Sequence, residues 1–359
     1  MANNNGNIIG AAHSAHSGVW DSQDQYQQAL AGNWPVAVVD YWEPDNAATA
    51  PVGWWKAESH GSNIELWTSD FSATQEEWTD SSASKPLRGS GIAASSGFNP
   101  VWNTSNDITV TSTEYGSTDY TPLKFSGGSG GAASLQKANT TNLVADSDYV
   151  TIAMVVQKTT VASVDVPIFL AGGDKNVSKT DDNSGDATMV ACYINGNNDA
   201  IYFNDNSATG ITNSVLTVNS NWTSNSTYQI LIVRAQLSSG SSSIEVFSGG
   251  KNSSGTLQGL TVGGTTGSGS GSHVNLSSTD DSHGFTLGRC FNIAGGTSTN
   301  IQMDGNSDIR FLEAVAYSHQ VSDADIQNLE GYFYHKFKGD TESPSLEANH
   351  PYLTSAPSV

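Results

Sequence analysis

Short apolar runs, walled off from one another by stretches of Gly, Ser, Thr and Asn, constrain this chain more than any other feature. Val150-Thr-Ile-Ala-Met-Val-Val156 is the strongest run. Ala200–Phe203, Tyr228–Arg234, Ser243–Phe247, Phe285–Gly288 and Asp308–Tyr317 follow the same pattern. Runs of this length, rich in β-branched and aromatic residues and bounded by turn formers, read as strands. With 36 Gly and only 14% charged residues in 359, the chain is poor material for helices and good material for turns. The texture from about Pro51 to Arg310 is all-β, long enough for one large sandwich, and no internal repeat is visible. The longest polar loop runs from Val262 to Ser272.

Two segments break the β pattern. In Ser17–Pro35, Asp21 can cap a short helix, Gly32 ends it, and Trp34-Pro35 leaves in an extended path. Trp20, Tyr26 and Trp34, with Pro35, form an aromatic cluster too small to bury itself. The cluster needs a partner surface, which makes these four the candidate assembly residues of an N-terminal attachment segment, residues 1–45. Near the other end, Ser322-Asp-Ala-Asp325 is a capping box that opens a helix through Phe337. Ile326, Leu329, Phe333 and Phe337 give that helix one apolar face for packing on the sandwich. Gly331 costs about 1 kcal/mol there relative to Ala, which implies a close approach to the sheet. Residues 46–338 are read as the sandwich, and residues 339–359 as a polar surface tail.

A net charge of -21 makes phosphate backbones and anionic membranes poor partners, so neither nucleic acid nor membrane insertion is expected. No apolar tract is long enough to cross a bilayer, and Met1–Ser17 has neither the basic nor the apolar region of a signal peptide. Cys192 and Cys290 have no metal-ligand spacing and read as two buried thiols, with a single bridge between them as the alternative.

The closing motifs are more specific. Phe311-Leu-Glu-Ala-Val-Ala-Tyr317, Val321-Ser-Asp-Ala-Asp325, Leu329-Glu-Gly-Tyr-Phe333 and Asn349-His-Pro-Tyr352 stand in that order before Ala356-Pro357. Trp54-Trp-Lys-Ala57, Glu77-Trp-Thr-Asp-Ser81, Asn99-Pro-Val-Trp102 and Leu123-Lys-Phe-Ser-Gly127 precede them. Together they resemble the laminin G-like branch of the concanavalin A-like lectin/glucanase superfamily, from roughly Pro51 to the C-terminus. One departure is Phe337-Lys-Gly339, where that branch usually has Lys-Trp-Gly. The Gly18-Val-Trp … Trp34-Pro35 segment looks like an element of tailed-bacteriophage structural proteins. The resemblance implies an all-β, concanavalin A-like jelly-roll sandwich with a short C-terminal helix, displayed on a virion.

Glucanases on that fold place two carboxylates on one strand face in a Glu-x-Asp-x-x-Glu run, and no such run occurs here. Glu76 and Glu77 are adjacent, and Asp308 and Glu313 are five apart, so strict alternation sends each pair to opposite faces. Gly267-Ser-Gly-Ser-Gly271 lies in a low-complexity loop rather than a strand-to-helix turn, and the eight His form no His-Glu-x-x-His. No catalytic residue is assigned. The Asp181-Asp-Asn-Ser-Gly-Asp186 run could ligate calcium but lacks a distal bidentate Glu, and Asp280-Asp281 is weaker, so no cofactor is expected beyond that calcium option.

The reading is a non-enzymatic bacteriophage virion protein, of tail fibre, head fibre or capsid decoration, adhering to host surface glycan. Its expected partners are other virion proteins, host cell-surface polysaccharide and further copies of itself, and its expected place is the virion surface, extracellular after lysis. A cement protein that touches no glycan, and a polysaccharide hydrolase on the same fold, are the alternatives.

Overall fold

The structure is a computed structural model. It describes residues 39–56, 77–78, 87–89, 101–102, 108–112, 114–116, 119–128, 131–132, 135–137, 149–158, 166–172, 189–195, 200–207, 210–216, 227–238, 241–249, 260–262, 285–288, 290–294, 297–301 and 308–359. The chain divides into two units, Met1–Tyr41 with Ser358–Val359, and Trp42–Pro357. In the first, Tyr41 forms an antiparallel bridge with Ser358, and the Val359 N–H donates to the Asp40 carbonyl at 3.0 Å.

Among the described residues the second unit is mostly antiparallel β with one long helix. Its central sheet contains β1 (Gly53–Lys56), β2 (Val101–Trp102), β3 (Leu123–Gly128), β4 (Tyr149–Lys158), β5 (Gln229–Ser238), β6 (Ser241–Phe247), β7 (Leu260–Val262) and β8 (Asp308–Tyr317). The strand order is β7-β6-β5-β4-β8-β3-β2, with β1 also on β8 and Gly131–Ala132 on β3. A second sheet runs in the order Gly210–Leu216, Ala200–Ser207, Met189–Asn195, Val166–Gly172, Phe285–Leu287, Leu135–Lys137, Leu87–Gly89, Glu77–Trp78. Val166–Gly172 lies against β8, which brings the two sheets together.

Alternation divides the central strands between two dry faces. Ala153, Val155, Ile230, Ile232, Val315 and Trp54 join one buried cluster with the helix. Their neighbours Ile152, Met154, Leu231, Val233, Ala314 and Trp55 point the other way and are equally buried. Burial on both faces is why these strands read as near-continuous apolar runs rather than alternating ones.

The helix α1 spans Asp323–Phe337, the bounds that capping and spacing predict. The Asp325 N–H donates to Ser322 Oγ at 3.1 Å, satisfying one of the amides left open at the helix start. Ile326, Leu329, Phe333 and Phe337 are all fully buried. The role expected of Gly331 needs correction. A Cβ there would lie 2.7 Å from the Tyr352 Cβ, so the close neighbour is the C-terminal tail and not the sheet. Gly339 follows the helix at φ +127, with the Thr111 amide where a Cβ would go, and only glycine suits that position.

Cys192 is buried and unbridged, as a packed thiol should be, and burial pushes its pKa well up. Cys290 opens the Cys290–Ala294 strand of a separate hairpin.

Candidate functional site

The face of the central sheet under α1 carries charged groups as well as apolar ones, and they meet at Glu313. Glu313 sits mid-strand in β8 and is 0% exposed. Its Oε1 accepts from Trp54 Nε1 at 2.5 Å and from the Tyr332 hydroxyl at 2.8 Å. Its Oε2 accepts from Lys336 Nζ at 2.7 Å, and the same ammonium donates to the Tyr332 oxygen at 2.9 Å. Lys336 is 2% exposed, and its Nζ lies 5.2 to 5.8 Å from the ring centres of Tyr120, Tyr332 and Phe337. Tyr332 and Lys336 are one helical turn apart and so project together from α1, while β1 and β8 are paired neighbours that present Trp54 and Glu313. Three elements are thereby joined through one carboxylate.

A second layer ties the tail to the helix. His350 Nδ1 accepts from the Tyr352 N–H at 3.1 Å, which leaves the proton on Nε2 to face Glu330 Oε2 at 3.1 Å. His335 Nδ1 accepts from Lys338 Nζ at 2.7 Å, so its Nε2–H donates to the Tyr352 carbonyl at 2.7 Å. Both polar groups of the Tyr352 backbone are thus held by histidines. Lys338 also donates to Glu114 Oε1 at 2.7 Å. Burial pushes the Glu114 carboxyl up, but Lys338, a backbone amide and the Ser112 hydroxyl outweigh it and hold the pKa at about 2. At the other end of α1, Arg234 donates to Glu245 at 2.6 Å and to both Asp323 and the Val321 carbonyl at 2.8 Å.

The motif residues quoted from the sequence meet here. Trp54, Glu313, Glu330, Gly331, Tyr332, His350 and Tyr352 all belong to the Trp54-Trp, Phe311–Tyr317, Leu329–Phe333 and Asn349–Tyr352 runs. The motifs gave no sign of Lys336, His335, Glu114 or Arg234, and Lys338 entered only as the middle of the Phe337-Lys-Gly339 departure. The one available signal was a lysine at position 336, inside the helix's apolar stripe.

Asp308 and Glu313 also need correction. The β4–β8 register shifts between Val155 and Val156, and this bulge resets the alternation. Arg310 reaches Gln157 and Glu342 on the helix side, so Asp308, two residues before it, shares the face of Glu313. The pair still spans four positions of the partner strand, roughly 14 Å, beyond the 5–10 Å that two-carboxylate hydrolysis needs. Asp308 is instead paired with Lys124 at 2.7 Å.

Trp20, Tyr26, Trp34 and Pro35, and the acidic runs Asp181–Asp186 and Asp280-Asp281, lie outside the described residues. Among the described residues no group of three or more His, Cys, Asp or Glu could hold a metal ion, and no helix is long and apolar enough to cross a membrane.

No family model and no curated protein matches the sequence. Among solved structures, the chain is similar to the botulinum neurotoxin serotype G binding domain, at 9% identity and TM-score 0.39 over 78% of this chain and 50% of that one. It is also similar to the serotype D ligand binding domain in complex with N-acetylneuraminic acid, at 10% identity, TM-score 0.39 and the same coverage. The binding domain of Paraclostridial Mosquitocidal Protein 1 is similar at 9% identity and TM-score 0.38, over 67% of this chain and 48% of that one. The chain spans about half the length of each.

Proposed function

We propose that this chain is a bacteriophage virion structural protein, of tail fibre, head fibre or capsid decoration, that displays a concanavalin A-like jelly roll for adhesion to host surface glycan without cleaving it. The observation that carries the reading is the convergence of the resemblance's motif residues on one closed constellation. Trp54, Glu313 and Tyr332 come from three separate runs and meet under α1, and His350 of a fourth run holds Glu330 of the same helix from the tail. The polar groups of this constellation are satisfied by one another and sealed from solvent, so its work is to hold a rigid scaffold. Binding then falls to the Gly/Ser/Asn stretches of the sequence between the strands, which offer many hydrogen-bonding groups. Single contacts of this kind are weak, and many copies on one particle would supply the avidity.

The test incubates purified chain and multivalent particles with host-envelope polysaccharide, measuring retention and new reducing ends in parallel. Retention by particles without release of reducing ends is the expected result. Release of new ends would establish a hydrolase, and failure of both free chain and particles to be retained would leave a cement role.

A further inference from the structure

We propose that Lys336 and Glu313 condense with each other to form an intramolecular isopeptide bond that staples α1 to β8. The site holds what amide formation requires. The nucleophile is placed: Lys336 Nζ is 2.7 Å from Glu313 Oε2, in direct contact with the carboxyl group that it would attack. The oxygen on which negative charge gathers is also met. Oε1 faces two donors, Trp54 Nε1–H at 2.5 Å and the Tyr332 O–H at 2.8 Å, the arrangement that stabilises a tetrahedral oxyanion. A proton relay is present too, because the Tyr332 hydroxyl accepts from Lys336 Nζ at 2.9 Å while donating to Oε1.

The step balances without any further reactant. A proton passes from the Lys336 ammonium to Oε2 along their hydrogen bond, leaving a neutral amine and a carboxylic acid. The amine lone pair adds to the Glu313 carboxyl carbon, forming the C–N bond and placing the charge on Oε1. The second proton lost by Nζ passes to the Oε2 hydroxyl, the C–O bond breaks, and one molecule of water leaves. Burial favours this direction. Two charges held out of water are costly, a neutral amide relieves both, and the dry site denies the reverse reaction its water. Glu43 interacts electrostatically with both Lys336 and Glu313, and burial raises its pKa.

The test is the intact mass of the full chain after denaturation, followed by proteolysis and tandem mass spectrometry. The expected mass is that of the sequence less one water, with residues 313 and 336 recovered in a single branched peptide and no tryptic cut after Lys336. Lys336→Met should restore the full sequence mass. A wild-type chain of full sequence mass, or water loss that persists in Lys336→Met, would overturn the proposal. The wild-type measurement decides the matter even if the variant fails to fold.

Discussion

The two faces of the central sheet are equally dry but are built differently. Towards the second sheet stand Ile152, Met154, Leu231, Val233, Ala314 and Ala316, all apolar, with the buried Lys158 at the end of β4 beyond them. Towards α1 stand comparable apolar residues, but Glu313 and Lys336 are set in their midst. An apolar face gains from any shape-compatible packing and tolerates volume-conserving change. A buried charge accepts one partner geometry and penalises all others. The contrast indicates that the helix side specifies where α1 and the tail must sit, while the opposite side supplies most of the undirected burial.

That contrast can be broken by substitution. Glu313→Ala leaves the Lys336 ammonium buried without its counter-charge and should cost about 3–5 kcal/mol, read by denaturant unfolding. Adding Lys336→Met should recover part of the loss, because the uncompensated charge is then gone. Met154→Ala on the opposite face should cost about 2–5 kcal/mol by leaving a cavity, and no second substitution at a charged site should rescue it. Gly331→Ala sharpens the comparison through its sign. Helix propensity alone predicts a gain of about 1 kcal/mol, but the new methyl would meet Tyr352, and the net should be a loss of about 1–3 kcal/mol in thermal melts.

The smallest effect should come with pH. The Glu114 pKa is held at about 2, below its ordinary 4.5. Its contribution is therefore complete above about pH 4.5 and fades as pH falls towards 2. Lys338→Met should flatten that part of the stability–pH curve, and an unchanged curve would remove Glu114 from the account.

What the sequence disclosed divides along the same lines. Helix α1 was legible to the residue because its signals are local: Ser322 caps Asp325, and the apolar stripe repeats at helical spacing. β8 was legible from a single continuous run. The Glu313–Lys336 pair was not, because strand alternation and helical spacing each describe one element and neither says which residues face each other across them. Gly331 was read as a packing glycine, but its true neighbour lies in a tail with no periodicity to follow. The bulge at Val155/Val156 was silent as well, and it overturned the face assignment of Asp308.

Glu313 couples the sheet to α1, and the histidine contacts of the helix carry that coupling to the tail. Amide hydrogen exchange on Glu313→Ala, compared with wild type and Met154→Ala, tests it most directly. In Glu313→Ala, residues 323–357 should lose protection together while the Val166–Gly172 and Met189–Asn195 strands keep theirs. In Met154→Ala the loss should be spread across both sheets. Wild-type protection of α1 in Glu313→Ala, or a tail that opens while the helix stays closed, would contradict the claim.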